Sequence, residues 1–190
     1  MEEKGVRTDD RHSFKKIILV VFIIIAVAVV ILLQGKDSFF TSYKPRVKVG
    51  LPAPNFTFPG LDGKKISLTD FKGKVVFLNI WATWCPPCRE EMPSMEKLYQ
   101  ELKGSDFEIL AVSVDASEAT AVAPFMKEYK LNFPALLDPE GTIKNIYGTT
   151  GVPESFVIGK KGIIEKIVIG PMDWSTPEVV LFFRNLIQKP

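Results

Sequence analysis

The segment that most constrains this chain is Val75-Val76-Phe77-Leu78-Asn79-Ile80-Trp81, closely followed by Cys85-Pro86-Pro87-Cys88. A dense apolar run of this length, bounded by Gly73, reads as a central strand covered on both faces. Beyond it, Met92, Met95, Leu98, Tyr99 and Leu102 recur at helical spacing, and Pro87 falls in the first turn, where a missing N–H costs nothing. Strand, turn and helix together put Cys85 at a helix N-terminus. No further cysteine occurs. A pair three positions apart is too close to staple distant parts of a fold, and a closed zinc site takes four ligands, whereas the one histidine, His12, lies before all of this.

The rest of the chain alternates strand and helix signals. Phe56–Phe58 and Lys65–Leu68 flank the turn signal Leu61-Asp62-Gly63 and predict an opening β-hairpin. Residues 107–114 read as a second buried strand, 122–129 as a helix, 135–137 as a short strand and 142–147 as a short helix. Ser155–Ile158 and Ile163–Ile169, joined by Gly159-Lys160-Lys161-Gly162, predict a final hairpin, and Pro177–Ile187 a closing amphipathic helix. Alternation first and an antiparallel hairpin later imply an α/β fold, a mixed central sheet flanked by helices.

The N-terminal quarter has a different character. Ile17 to Leu33 is unbroken by charge and, as a helix, spans about 25 Å, which predicts a transmembrane anchor over 17–33. No small-residue cleavage site closes the run at Ile31-Leu32-Leu33-Gln34, so an anchor fits better than a cleaved signal peptide. Lys15 and Lys16, with Arg7 and Arg11, predict a cytoplasmic tail over 1–16 and a C-terminal domain facing the periplasm or cell exterior. Residues 34–48 read as a linker and 49–190 as one domain. The net charge of +2, with both signs interleaved after residue 50, gives no sustained basic surface and sets nucleic acid aside.

A thiolate is the attacking species in thiol-disulfide exchange, and a helix N-terminus favours it through unsatisfied N–H groups and the positive end of the helix dipole. Cys85 therefore reads as nucleophile. Cys88, one turn on, reads as the resolving thiol, and the disulfide between them is the redox group, with no other cofactor and no metal expected. Glu91, three residues after Cys88, shares its helical face and reads either as a proton acceptor for Cys88 or as a solvated first-turn acid.

The stretch Trp81-Ala82-Thr83-Trp84-Cys85-Pro86-Pro87-Cys88-Arg89-Glu90-Glu91-Met92-Pro93 resembles the active-site segment of TlpA-like, ResA-like and CcmG-like membrane-anchored thioredoxins. Gly50-Leu51-Pro52-Ala53-Pro54-Asn55-Phe56 and Leu68-Thr69-Asp70-Phe71-Lys72-Gly73-Lys74 resemble that family's N-terminal hairpin, so the likeness covers nearly everything after residue 49. It implies a thioredoxin fold with an N-terminal β-hairpin and a central α/β insertion. Gly151-Val152-Pro153-Glu154-Ser155 resembles the family's cis-proline segment, with Pro153 as the match. The likeness implies substrate docking by Val152 and Pro153, with Glu154 an acid on the active-site surface; Trp84, flanking the motif, reads either as a packing residue or as a platform that docks substrate together with Pro86. Many thioredoxins place a buried aspartate in the strand before the motif. Asn79 stands there instead and exchanges no proton at ordinary pH, which leaves Glu91 as the candidate base.

The resemblance implies an extracytoplasmic thiol-disulfide oxidoreductase, a reductant of cysteine-containing proteins with apocytochrome c as one substrate class, resupplied by a membrane electron donor of the CcdA/DsbD type. Two alternatives stand beside it. A peroxiredoxin-like peroxidase has a threonine three residues before its reactive cysteine, where this chain has Ala82, with Thr83 one place late. A copper-binding module would use the two soft thiolates, but related copper-assembly proteins add a histidine beyond the pair and none follows His12.

Overall fold

A computed structural model describes residues 15, 18–27, 29, 47–117 and 119–189. In it the hairpin of β1 (Thr57–Pro59) and β2 (Lys65–Ser67) pairs antiparallel, Thr57 opposite Ser67. A 3-10 turn at Leu68–Phe71 follows, entered through a reciprocal cap between Ser67 and Asp70. The main sheet holds β3 (Val75–Trp81), β4 (Phe107–Ser113), β5 (Ala135–Leu137), β6 (Glu154–Ile158) and β7 (Ile164–Ile169) in the order β5-β4-β3-β6-β7. β3, β4 and β5 run parallel, while β6 and β7 are antiparallel to their neighbours. This is the mixed sheet that the order of sequence signals implies, and it agrees with the thioredoxin fold that the family resemblance implies.

Every residue of β3 is buried, which is why its sequence shows no alternation. Helices α1 (Pro86–Leu102) and α4 (Pro177–Gln188) cover the face that presents Phe77 and Asn79. Glu91 of α1 hydrogen-bonds Asn79, and Phe183 of α4 packs on Phe77 with ring centres 5.7 Å apart. On the opposite face α3 (Thr142–Tyr147) lays Tyr147 against Phe156, the register partner of Leu78. Helix α2 (Ala119–Glu128) sends Phe125 onto Trp81. Its span begins earlier than the 122–129 expected from spacing, because Ala119, Thr120 and Ala121 carry no apolar period to reveal a first turn.

The chain divides into two compact units between Lys44 and Pro45, and the sheet belongs to the second. Of the expected anchor, residues 18–27 and 29 are helical. No helix among the described residues is long and apolar enough to cross a membrane. The expected tail over 1–16, apart from Lys15, the remainder of 17–33 and the linker up to residue 46 lie outside the described residues.

Candidate active site

Parallel β3 and β4 end at the same edge of the sheet, and the loop after β3 carries the cysteines there. That loop is held by a polar clasp. Thr83 donates to the buried Asp115 through both its backbone N–H (2.9 Å) and its hydroxyl (2.6 Å), and Ser113 at the end of β4 donates to the same carboxylate (2.6 Å). Sequence reading missed this pair. The available signal was their place just past an apolar strand, at the sheet edge where ligands and reacting groups of α/β proteins gather.

Cys85 is the N-cap of α1, and its sulfur accepts the backbone N–H of Cys88 at 3.2 Å. Pro86 and Pro87 follow it at the first two helical positions, so neither supplies an N–H, and the donor that reaches the sulfur is that of Cys88. The two cysteines are joined as a disulfide. Cys88 is wholly buried and Cys85 keeps 3% exposure, so an incoming thiolate meets Cys85 first. The Cys85 sulfur lies 3.6 Å from the carbonyl oxygen of Val152, a contact that becomes a hydrogen bond only when the sulfur carries a thiol proton.

Val152-Pro153 is a cis peptide, as the family likeness implied, and the Pro153 carbonyl accepts the N–H of Gly170 at the end of β7. Trp84, 63% exposed, and the exposed Pro86 flank Cys85 in sequence and leave apolar side chains open to solvent beside the pair. Glu154 departs from the expected surface acid. Strand β6 begins at Glu154 rather than Ser155, and the ladder places it opposite Ile80 and Ile169, where it is 7% exposed. Burial raises its pKa above the ordinary glutamate range, offset in part by Thr149 and the backbone of Thr150.

Glu91 is not a solvated first-turn acid. It is 3% exposed, and its carboxylate accepts from Asn79 Nδ2 at 2.9 Å, Trp174 Nε1 at 3.0 Å and the Met172 N–H at 3.3 Å. Burial raises its pKa, and these three donors work in the lowering direction. Asn79 also donates to Ser155 Oγ at 2.9 Å, so the residue that replaces the buried aspartate bridges β6 and α1. Ser155, Met172 and Trp174 escaped the sequence reading, because their part depends on long-range pairing that no local pattern announces. Thr83, the residue one place late for a peroxidase, spends its hydroxyl on Asp115. Among the described residues no group of three or more His, Cys, Asp or Glu is placed to hold a metal ion.

The family model of the AhpC/TSA family matches residues 49–167. Thiol-disulfide oxidoreductase ResA of Bacillus cereus (strain ATCC 10987 / NRS 248) is 43% identical over 147 residues, covering 74% of this chain and 84% of that protein. ResA of Bacillus subtilis (strain 168) is 41% identical over 145 residues, covering 76% and 79%. Among solved structures, StoA from Bacillus subtilis superposes with a TM-score of 0.56 at 35% identity, covering 65% of this chain and 92% of StoA. A thiol:disulfide interchange protein of the thioredoxin family from Chlorobium tepidum TLS gives 0.62 at 27% identity, covering 74% and 98%. The relatives and the site agree, and the chain belongs to the AhpC/TSA family, as a ResA-like protein thiol-disulfide oxidoreductase of thioredoxin-like fold.

Proposed function

We propose that this chain is a membrane-tethered, extracytoplasmic reductant of protein disulfides. The observation that carries the direction of electron flow is the sparse donor set at Cys85. With Pro86 and Pro87 in the first turn, one backbone N–H reaches the sulfur. A thiolate with fewer donors is less stabilised, its thiol less acidic and its disulfide less oxidising.

In this reading the Cys85 thiolate attacks a substrate disulfide and one substrate sulfur leaves as a thiolate. Cys88 then displaces the second substrate sulfur, and the Cys85–Cys88 disulfide is regenerated. Trp84 and Pro86 supply an apolar platform, and the Val152-Pro153 backbone supplies polar groups against which an extended substrate segment can pair. Glu91 receives the proton of Cys88, and Glu154 acts from the interior on the charge of Cys85 rather than by touching the partner. Exported cysteine-containing proteins, apocytochrome c among them, are the substrates, and a membrane protein of the CcdA/DsbD type supplies electrons. The apolar run over 17–33 and the basic residues before it support the tether and its orientation.

The test is the reduction potential of the full chain against a glutathione or dithiothreitol series, with Cys85→Ser and Cys88→Ser as controls. A potential at or below about −250 mV, close to thioredoxin, is expected of a reductant. A potential near about −120 mV marks a disulfide donor and reverses the assignment.

A further inference from the structure

Trp174 sits in the segment between β7 and α4 and is fixed from three directions. Its backbone N–H donates to Ser94 Oγ at 3.0 Å, and that hydroxyl in turn donates to the Glu91 carbonyl at 2.7 Å. Its ring is fully buried against Phe77 of β3, ring centres 4.3 Å apart. So held, its indole Nε1 points at Oε2 of Glu91 at 3.0 Å, with the Met172 N–H on the same oxygen and Asn79 Nδ2 on the other.

We propose that Trp174 is a positioning residue for the redox pair: its indole N–H fixes Oε2 of Glu91 and selects the ionised carboxylate, leaving Glu91 able to accept the proton of Cys88. An indole N–H donates and never accepts, and a backbone N–H behaves alike, so each contact on Oε2 favours the form with no proton there. Asn79 presents a donor to Oε1 in the same sense. The charged neighbours do not take this part. Glu90 and Lys97 on α1 and Asp173 on the segment before α4 line the cleft of about 430 Å³ beside Glu91; Lys97, the one cation of the three, forms no ion pair with Glu91 among the described residues, and the two acids offer it only like charge. The strands packed beneath present Asn79 and Ser155, with Glu154 next in β6, and Cys88 lies one turn back on α1. Neutral donors, aimed by packing, thus carry the carboxylate.

This role for Trp174 rests on the reading of Glu91 as the acceptor for Cys88. The Cys88 Sγ–H proton passes to Glu91, and the Cys88 thiolate displaces substrate sulfur from the mixed disulfide on Cys85. The departing thiolate takes up a proton, leaving the substrate reduced and the Cys85–Cys88 pair oxidised.

The experiment is a carboxyl-carbon NMR titration of Glu91 in the full chain, assigned with Glu91→Gln, comparing wild type with Trp174→Phe. Loss of one hydrogen bond to the charged form raises the Glu91 midpoint by on the order of one pH unit. A strap that merely plugs the cleft would act in the opposite sense, since its loosening admits water and lowers the midpoint. An unchanged or lowered midpoint therefore overturns the proposal. If Trp174→Phe fails to fold, the sulfur isostere benzothienylalanine at position 174 keeps the shape and removes the N–H, and the same rise is expected. In parallel, Glu91→Gln is expected to alter the pH profile of mixed-disulfide resolution. An unaltered profile beside a raised midpoint sinks the reading of Glu91 as base while leaving the indole contact standing.

Discussion

Thr83 and Asp115 lie 32 positions apart and are joined by two hydrogen bonds, at 2.9 and 2.6 Å, so the end of β4 holds the loop that presents Cys85. The carboxylate also takes the Ser113 hydroxyl. Asp115→Ala leaves the buried Ser113 hydroxyl and the half-buried Thr83 donors without their acceptor and is expected to destabilise the domain by about 2 kcal/mol. Denaturant unfolding followed by tryptophan fluorescence measures this. A loss below about 0.5 kcal/mol, the range of an ordinary surface substitution, shows that the clasp is dispensable.

The two cysteines divide the chemistry by their placement, one at the helix N-cap with residual exposure and one wholly buried. Cys88→Ser should therefore accumulate a mixed disulfide between Cys85 and a substrate peptide, visible by intact-mass spectrometry, with turnover falling at least about a thousandfold, as expected when a member of a catalytic unit is lost. Cys85→Ser should form no such adduct. Equal trapping by both variants contradicts the division of roles.

Glu91 gives a pH dependence whose sign follows from its burial. Its pKa in the folded chain lies above the ordinary value of 4.5, so its contribution to stability is full below that value and is lost as pH rises through the raised one. Glu91→Gln removes the cost of burying a charge. The amide introduced there is also expected to find a partner in Asn79, whose Oδ1 has no hydrogen bond among the described residues. The variant should unfold at higher denaturant than wild type at pH 7, with the difference shrinking towards pH 4. A variant less stable at both values shows that the three donors outweigh desolvation.

Trp84 is 63% exposed, so Trp84→Ala removes little packing and should change stability by no more than about 0.5 kcal/mol. Its effect belongs in substrate binding. An increase in KM of about tenfold for a disulfide-bonded peptide, with kcat nearly constant, is the expected pattern for a lost aromatic platform. A fall in kcat at constant KM places Trp84 with the reacting atoms instead.

Much of the fold is legible in the sequence because its elements announce themselves locally. The apolar run Val75–Trp81 is the strand it reads as, and Ala135–Leu137 and Thr142–Tyr147 fall at their expected ends. The redox pair is legible for the same reason, since strand, turn and helix are contiguous around it. What escaped is what packing alone creates. Nothing next to Glu91 in sequence says that it is buried, because two of its three donors come from residues 172 and 174. Glu154 is buried rather than at the surface because the strand takes in one more residue than its apolar pattern shows.

The dispersion of the Glu91 donors along the chain has a consequence for biogenesis. Asn79 and the cysteines are synthesised together, but Ser155, Met172 and Trp174 follow much later, and β6 must insert beside β3 before the pocket around Glu91 closes. A chain emerging N-terminus first thus displays two thiols with no finished acid beside them. Until residues 155 to 174 have been made, the two thiols stand without the pocket that the folded domain builds around Glu91.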